Sequence, residues 1–367
     1  MSSTWARTRG QEQVRALAEA GLGDRDLRRE VLAGLRSVLD FAAYVWLVTD
    51  PVTEVGTAPL AEVPCLAELP ALIKAKYATP VNRWTALRRQ AAPAGLLAAG
   101  GDLSRSRVWQ EVMSRYQICD VASVVFADRY GCWGFLDLWR DATQGPFTAA
   151  DADYLAGLAA PVTHAMRECQ ARTFLTPGTA QPRDAGPVVL TLDSSLRIVS
   201  RTAASQRWLH ALLPPGPGDP AIPASVYNVA AQLLAAEQGI DTHPAAARTH
   251  LSGGCWLTLR AARLPAEHGS PAAAGNGAAI VVTIEEASAS DRLDLFRRAY
   301  CLTAREGELL GLLATGGDTR AIARQMSLSE HTVQDHLKSV FGKTGARDRI
   351  TLLTRALGTK RVMPAGG

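Results

Sequence analysis

The sequence predicts a multidomain chain: two α+β modules in series, followed by a small all-α head. Three observations carry that expectation. First, two polar stretches poor in apolar periodicity, 175–187 and 286–293, divide a chain of 367 residues, and at roughly 100–200 residues per domain such a length holds two or three domains. Second, the apolar spacing mixes strand-like and helical patterns before residue 290 and is helical after it. Third, charge is concentrated near the end: residues 319–361 hold nine basic side chains (Arg320, Arg324, Lys338, Lys343, Arg347, Arg349, Arg355, Lys360 and Arg361) against Glu330, Asp335 and Asp348, while the whole chain carries only +4. A basic tip on a slightly acidic body is the electrostatic footprint of nucleic-acid binding, although a solvated basic tail has the same composition.

Bulk composition narrows the class. Hydrophobic residues make up 47 %, enough for each module to build a core. No apolar run approaches the roughly 18 residues of a membrane span; the longest, near 91–100 and 155–166, are broken by Pro93 and Pro161. The polar N-terminus lacks the apolar core of a signal peptide, so a soluble, cytoplasmic protein with no membrane partner is expected. Six cysteines, at 65, 119, 132, 169, 255 and 301, are too scattered for a CxxC metal or redox pair and read as buried, reduced thiols, with a redox-sensing cysteine as the minority alternative. The 39 basic residues include five Lys; with abundant Ala, Gly and Pro, the arginine excess reads as a GC-rich coding sequence and not as function.

Residues 1–27 are expected as an N-terminal helical segment and 28–174 as the first module. Val31, Leu32, Leu35, Val38 and Leu39 recur at helical spacing, and 43–49 reads as a strand. The apolar runs 122–127 and 132–139 flank the turn Asp128-Arg-Tyr-Gly131. Thr148 and Asp151 then form a capping box for a helix with Tyr154, Leu155, Leu158, Val162, Ala165 and Met166 on its buried stripe and a kink expected at Pro161. This order over 122–167 resembles the C-terminal half of a GAF domain; residues 51–114 carry little of that pattern.

The linker expected at 175–187 leads to a second module at 188–287. Strands are expected at 188–193, 196–200, 249–251, 255–264 and 278–285, with helices at 203–213 and 226–237. Gly253-Gly254 signals a hairpin, and 214–223 and 268–277 read as exposed loops. Two strands, helices and three strands, opening on VLTLDSSLRIVSRTAASQRWL, resemble a PAS domain.

After a second linker at 288–296, the head occupies 297–362. Thr303-Ala-Arg-Glu306 is a capping box, followed by a stripe of Leu309, Leu310 and Leu313 and a stop at Gly316-Gly317. A short helix at 320–326 turns Ile322, Ala323 and Met326 inward. Ser327-Leu-Ser329 is a tight turn whose last residue can cap a third helix. There Val333, Leu337, Val340 and Phe341 face the core, leaving Thr332, Gln334, Asp335, Lys338 and Ser339 outside. Small Ala323 permits the close crossing of a helix-turn-helix, in which the second helix braces the backbone and the third enters the major groove.

The run LTAREGELLGLLATGGDTRAIARQMSLSEHTVQDHLKSVFGKTGARDR (302–349) resembles a LuxR-type helix-turn-helix over essentially the whole domain. It departs from the pattern at Ala321, where an acid is usual, and at Gln334, where Lys is usual. The resemblance implies double-stranded DNA as partner and the third helix as reader. Lys338 is the strongest candidate for a phosphate or base contact. Gln334 can pair bidentately with adenine; Asp335 either accepts from a cytosine amino group or is a solvated acid. Thr332, Arg347 and Arg349 are expected to hold phosphates, and His336 to be structural. The last helix, with Leu352, Leu353 and Leu357, often forms the dimer contact in that family.

Other classes find no support. The first 120 residues lack the acidic pair, Asp and later Lys of a phosphorylated receiver: Asp24 and Asp26 precede a helix, and Lys74 and Lys76 are the only lysines. Trp46, Tyr77 and Trp84 do not match the spacing of acyl-homoserine-lactone binders. There is no P-loop, GxSxG or HExxH motif, and Ser252-Gly-Gly-Cys255 is a hairpin, not a nucleophile site. His164 and Glu168 read as a surface pair, and Trp133, Trp139, Trp208 and Trp256 as aromatic core in preference to pocket walls. The expectation is a non-enzymatic, sequence-specific transcription regulator, signal-responsive through GAF-like and PAS-like modules and binding a palindromic operator as a homodimer. RNA polymerase and a small-molecule effector are left open as partners, and the cofactor is left unspecified. Two alternatives stand beside it: an interaction protein whose head has lost DNA binding, and a haem or flavin sensor.

Overall fold

The computed structural model describes residues 2–175, 188–212, 224–251, 255–264 and 279–358. The chain opens with α1 (Ser2–Glu19) and α2 (Asp24–Arg36), the latter burying Leu27, Val31, Leu32 and Leu35 at helical spacing. Arg28 is buried with them. Its guanidinium donates to the carbonyls of Trp46 (3.1 Å) and Ala58 (2.9 Å) and pairs with Asp24, fastening α2 to the strands that follow.

Those strands are β1 (Ala43–Thr49) and β2 (Gly56–Glu62), followed by α3 (Leu69–Tyr77), α4 (Trp84–Leu87), β3 (Ala94–Leu96) and α5 (Arg107–Glu111). The long hairpin β4 (Ile118–Asp128) and β5 (Gly131–Asp141) and the helix α6 (Ala149–Arg172) complete the module. The sheet is antiparallel, in the order β2-β1-β5-β4-β3. The expected capping box opens α6: Thr148 N–H donates to Asp151 Oδ2 at 2.9 Å, and Asp151 N–H to Thr148 Oγ1 at 3.3 Å. The helix runs on through Pro161. Gly134 lets it lie close to the sheet, since a Cβ there would meet both Leu47 O and Met166 Cε at 2.6 Å. The core is aromatic: Trp84 stacks on Phe135 with centroids 4.3 Å apart, and Trp46 on Phe126 at 5.2 Å.

The second sheet is built from β6 (Val188–Leu192), β7 (Ile198–Arg201), α7 (Ser205–Leu212), α8 (Ala224–Glu237), β8 (Ala246–His250), β9 (Trp256–Arg263) and β10 (Ile280–Glu286). Its order, β7-β6-β10-β9-β8, repeats that of the first sheet. The loops expected at 214–223 and 268–277, the Gly253-Gly254 turn and most of the linker expected at 175–187 lie outside the described residues.

The two sheets belong to one compact unit, comprising the described residues within 1–166, 184–249 and 257–285. Helix α8 packs on α3 and β2, and buried ion pairs line the contact. Arg248 donates to Asp50 through its backbone N–H (2.8 Å), Nε (2.6 Å) and Nη2 (2.9 Å). Arg83 donates to Asp241 (2.9 Å), to Gln232 (2.8 Å) and to the Tyr77 carbonyl, with its guanidinium 4.5 Å from the Trp84 ring centroid. His243 hydrogen-bonds Asp241 at 2.6 Å and lies 3.6 Å from Glu54; the Asp241 bond raises the His243 pKa.

The second unit comprises the described residues within 167–183, 250–256 and 286–367. It contains α9 (Ala289–Ala299), α10 (Ala304–Ala314), α11 (Thr319–Met326), α12 (Glu330–Thr344) and α13 (Arg349–Leu357). The segment expected as linker, 288–296, is therefore helical. Ser288 caps α9, which buries Arg292, Leu295, Phe296 and Ala299 at positions i, i+3, i+4 and i+7, so its polar composition conceals an amphipathic face.

Cys65, Cys132 and Cys169 are buried, and all six cysteines are unbridged. Burial pushes the Cys65 thiol to about 11 and that of Cys132 to about 12, which keeps both inert. Trp133, Trp139 and Trp256 are core residues. Among the described residues no helix is long and apolar enough to cross a membrane, and no group of His, Cys, Asp and Glu is placed to hold a metal ion.

Candidate nucleic-acid interface

The head is assembled by local capping and one buried charge. Thr303 and Glu306 form the expected box, Glu306 N–H donating to Thr303 Oγ1 and Thr303 N–H to Glu306 Oε2 at 2.7 Å. The Glu306 carboxylate, 3 % exposed, also receives Lys343 Nζ (2.9 and 2.6 Å) and the Ser339 hydroxyl (2.7 Å). Burial alone would raise its pKa, but the hydrogen bonds from Lys343, Ser339 and Thr303 outweigh burial and hold it at about 2. One carboxylate thus fixes the start of α10 against the middle of α12.

Helix α11 is capped by Asp318, which accepts from Ala321 N–H at 2.7 Å, and it turns Ile322, Ala323 and Met326 inward. The turn to α12 needs one left-handed residue, Ser327 at φ +55°. Ser329 then caps α12, accepting from Thr332 N–H at 3.1 Å. Helix α12 packs on α10 and α11, burying Val333, Leu337, Val340 and Thr344, with Phe341 half-buried. It ends at Gly345, φ +63°, a left-handed stop that glycine adopts without strain. Asp348 caps α13, accepting from Thr351 N–H at 2.7 Å.

The opposite face of α12 is free for a partner. Gln334, Asp335 and Lys338 are exposed, Thr332 is half-buried beside the Ser329 cap, and Arg347 is exposed beyond the helix. Asp335 lies 3.6 Å from His331 and 3.8 Å from Lys338, one turn to either side. The helix therefore presents an amide, a carboxylate and an ammonium in one patch, a mixed donor and acceptor set suited to base edges. His331 escaped the sequence reading; its signal was the four-residue spacing to Asp335. Arg349 is tied down, donating to Thr319 Oγ1 at 2.6 Å. His336 is half-buried.

The three leucines of α13 divide. Leu352 is fully buried with Ala356 in the head's own core, so its side chain serves the monomer fold. Leu353 and Leu357 keep part of their surface and share a helix face with Ile350, which is 66 % exposed.

Capped helices, a left-handed turn and a third helix with one buried and one polar face define a helix-turn-helix head. Residues 300–356 match the family described as bacterial regulatory proteins, luxR family, so the C-terminal segment is a LuxR-type DNA-binding domain. Three proteins named as transcriptional regulators are similar to this chain over 54 to 71 residues. The monoamine regulon transcriptional regulator of Klebsiella aerogenes is 41 % identical over 54 residues, 15 % of this chain and 24 % of that protein. The transcriptional regulatory protein DesR of Bacillus subtilis (strain 168) is 36 % identical over 63 residues, 17 % of this chain and 32 % of that protein. The probable HTH-type transcriptional regulator GfsR of Streptomyces halstedii is 38 % identical over 71 residues, 19 % of this chain and 29 % of that protein. The chain thus spans about a quarter to a third of the length of these relatives.

Proposed function

We propose that the protein is a sequence-specific transcription regulator that acts in the cytoplasm and binds duplex DNA through α12. The observation that carries this reading is the two-sided character of α12: one face is buried in a LuxR-type domain, and the other offers Gln334, Asp335 and Lys338 to solvent. Lys338 supplies a phosphate or guanine contact, Gln334 an adenine contact, and Asp335 an acceptor for a base amino group. Thr332, Arg347 and Arg349 hold the backbone, Arg349 also bracing α11. Two copies bind a two-fold-symmetric site with half-sites about one helical turn apart, joined through α13, where exposed Ile350 and half-buried Leu353 and Leu357 form an apolar stripe and Leu352 supports it from within.

The two α+β modules are read as GAF-like and PAS-like sensors; their shared strand order supports a common sensory role. A groove of about 380 Å³ at the end of the first sheet, lined by Ala43, Glu62, Val63, Tyr116, Ile118 and Asp141 among others, has room for a small effector. Effector binding shifts the population of DNA-competent dimers, and the bound dimer recruits or blocks RNA polymerase.

Selection of a randomised duplex pool by the full chain tests the reading. It should enrich an inverted repeat. A pool that stays random after several rounds contradicts sequence-specific binding.

A further inference from the structure

Helix α9 leads into the head, and one of its buried side chains reaches the far end of the helix proposed for dimer contact. Arg292, 9 % exposed, donates from Nη2 to the carbonyl of Arg355 at 3.2 Å, in the last turn of α13. Its Nε lies 3.3 Å from where a Cβ on Gly358 would stand. Such a carbonyl carries the partial negative charge of a helix C-terminus.

Toward the rest of the unit, the Arg292 guanidinium carbon is 5.5 Å from the centroid of Phe174, just past the end of α6. Phe174 stacks on Trp256, the first residue of β9, with centroids 5.4 Å apart and planes at 19°. It also meets Phe296 edge-on at 5.3 Å, and Phe296 lies 4.5 Å from Tyr300, whose hydroxyl donates to the Ala171 carbonyl at 2.9 Å. His250 lies 5.4 Å from the Trp256 ring; burial and the Arg292 charge push its pKa down to about 4. A single guanidinium therefore lies over Phe174, the ring that stacks on Trp256, while its Nη2 holds a carbonyl at the end of α13.

We infer that Arg292 is a positioning residue for DNA recognition, coupling the placement of the Phe174–Trp256 ring pair to the placement of α13 and hence to pairing of two heads. This rests on the reading of α13 as the dimer helix. A guanidinium suits the task because it is flat enough to lie on a ring and directional enough to fix a carbonyl; an ammonium does neither as well.

The test uses the full chain, wild type and Arg292→Gln, Arg292→Lys and Phe174→Leu, on duplexes carrying one or two selected half-sites, with thermal unfolding in parallel. Single half-site affinity should stay within about twofold of wild type, while the advantage of the two-half-site duplex falls about tenfold in Arg292→Gln, the scale of one charged hydrogen bond. Arg292→Lys should fall between. Phe174→Leu, which keeps Arg292 and removes only the ring, should lose the same advantage. Equal losses on both duplexes, or no change on either, overturn the inference. A wild-type protein that gains nothing from a second half-site overturns the dimer reading itself, and the role of Arg292 with it.

Discussion

In the proposed reading, three side chains on α12 divide the work of recognition: Lys338 is attracted to any duplex, Gln334 rewards adenine, and Asp335, repelled by phosphate, gains a contact only where a base amino group faces it. Asp335→Ala should raise affinity for unselected DNA and erase the preference for cytosine or adenine at one position of each half-site, leaving the other positions intact; repeating the pool selection with the variant checks this. Glu306 makes the head's stability sensitive to acid. Its folded pKa, about 2, lies below the ordinary 4.5, so its contribution is complete above about 4.5 and is lost as pH falls toward about 2. Acid unfolding followed by far-UV circular dichroism should show this limb. Glu306→Gln should flatten it and cost about 1–3 kcal/mol at neutral pH, because Lys343 loses its charged partner. At this scale the sequence was informative about outward positions, because helical spacing separates Val333 and Leu337 from Gln334, Asp335 and Lys338. It was silent on the bonds of Glu306 to Ser339 and Lys343, 33 and 37 residues away.

Among the elements, caps were the most legible feature. Thr148, Thr303 and Ser329 all cap the helices they were expected to cap, since an N-cap is a contact across three residues and needs no tertiary information. Ser329→Ala should lower the head's stability by about 1 kcal/mol and reduce the helical signal of α12 before the rest of the chain melts, which thermal scans of the variant would reveal. Elements that depend on their surroundings were hidden. In β2, Pro59 breaks the strand pattern, and the sheet order explains its tolerance: β2 is an edge strand, where a missing donor costs little. Helix α9 was hidden by its charges, because one of its inward positions is Arg292, a residue that periodicity counts as polar.

Over the whole molecule, the two α+β regions expected before the head each carry a five-stranded sheet, and the two sheets belong to one compact unit with a charged seam. Arg248 and Asp50 are 198 residues apart, and Arg83 and Asp241 are 158 apart. Buried, long-range ion pairs leave no periodic trace in a sequence. Such pairs bring little net stability, because desolvation offsets their attraction, but breaking one strands the other charge. Asp50→Ala and Arg248→Ala should each destabilise the unit by about 3–5 kcal/mol, and the double variant by clearly less than both together. Urea unfolding of the four proteins closes that cycle; additive losses would show that the two groups do not interact.

The most direct measurement on DNA recognition by α12 is fluorescence anisotropy of the full chain on its selected duplex and on a scrambled one, across a range of salt, with Lys338→Ala alongside. Recognition as proposed predicts tighter binding to the selected duplex, weakening as salt rises. Lys338→Ala should weaken it further and flatten the logarithmic salt dependence by about one unit for each head engaged. Equal binding to both duplexes, or a Lys338→Ala protein indistinguishable from wild type, would contradict α12 as the reading element.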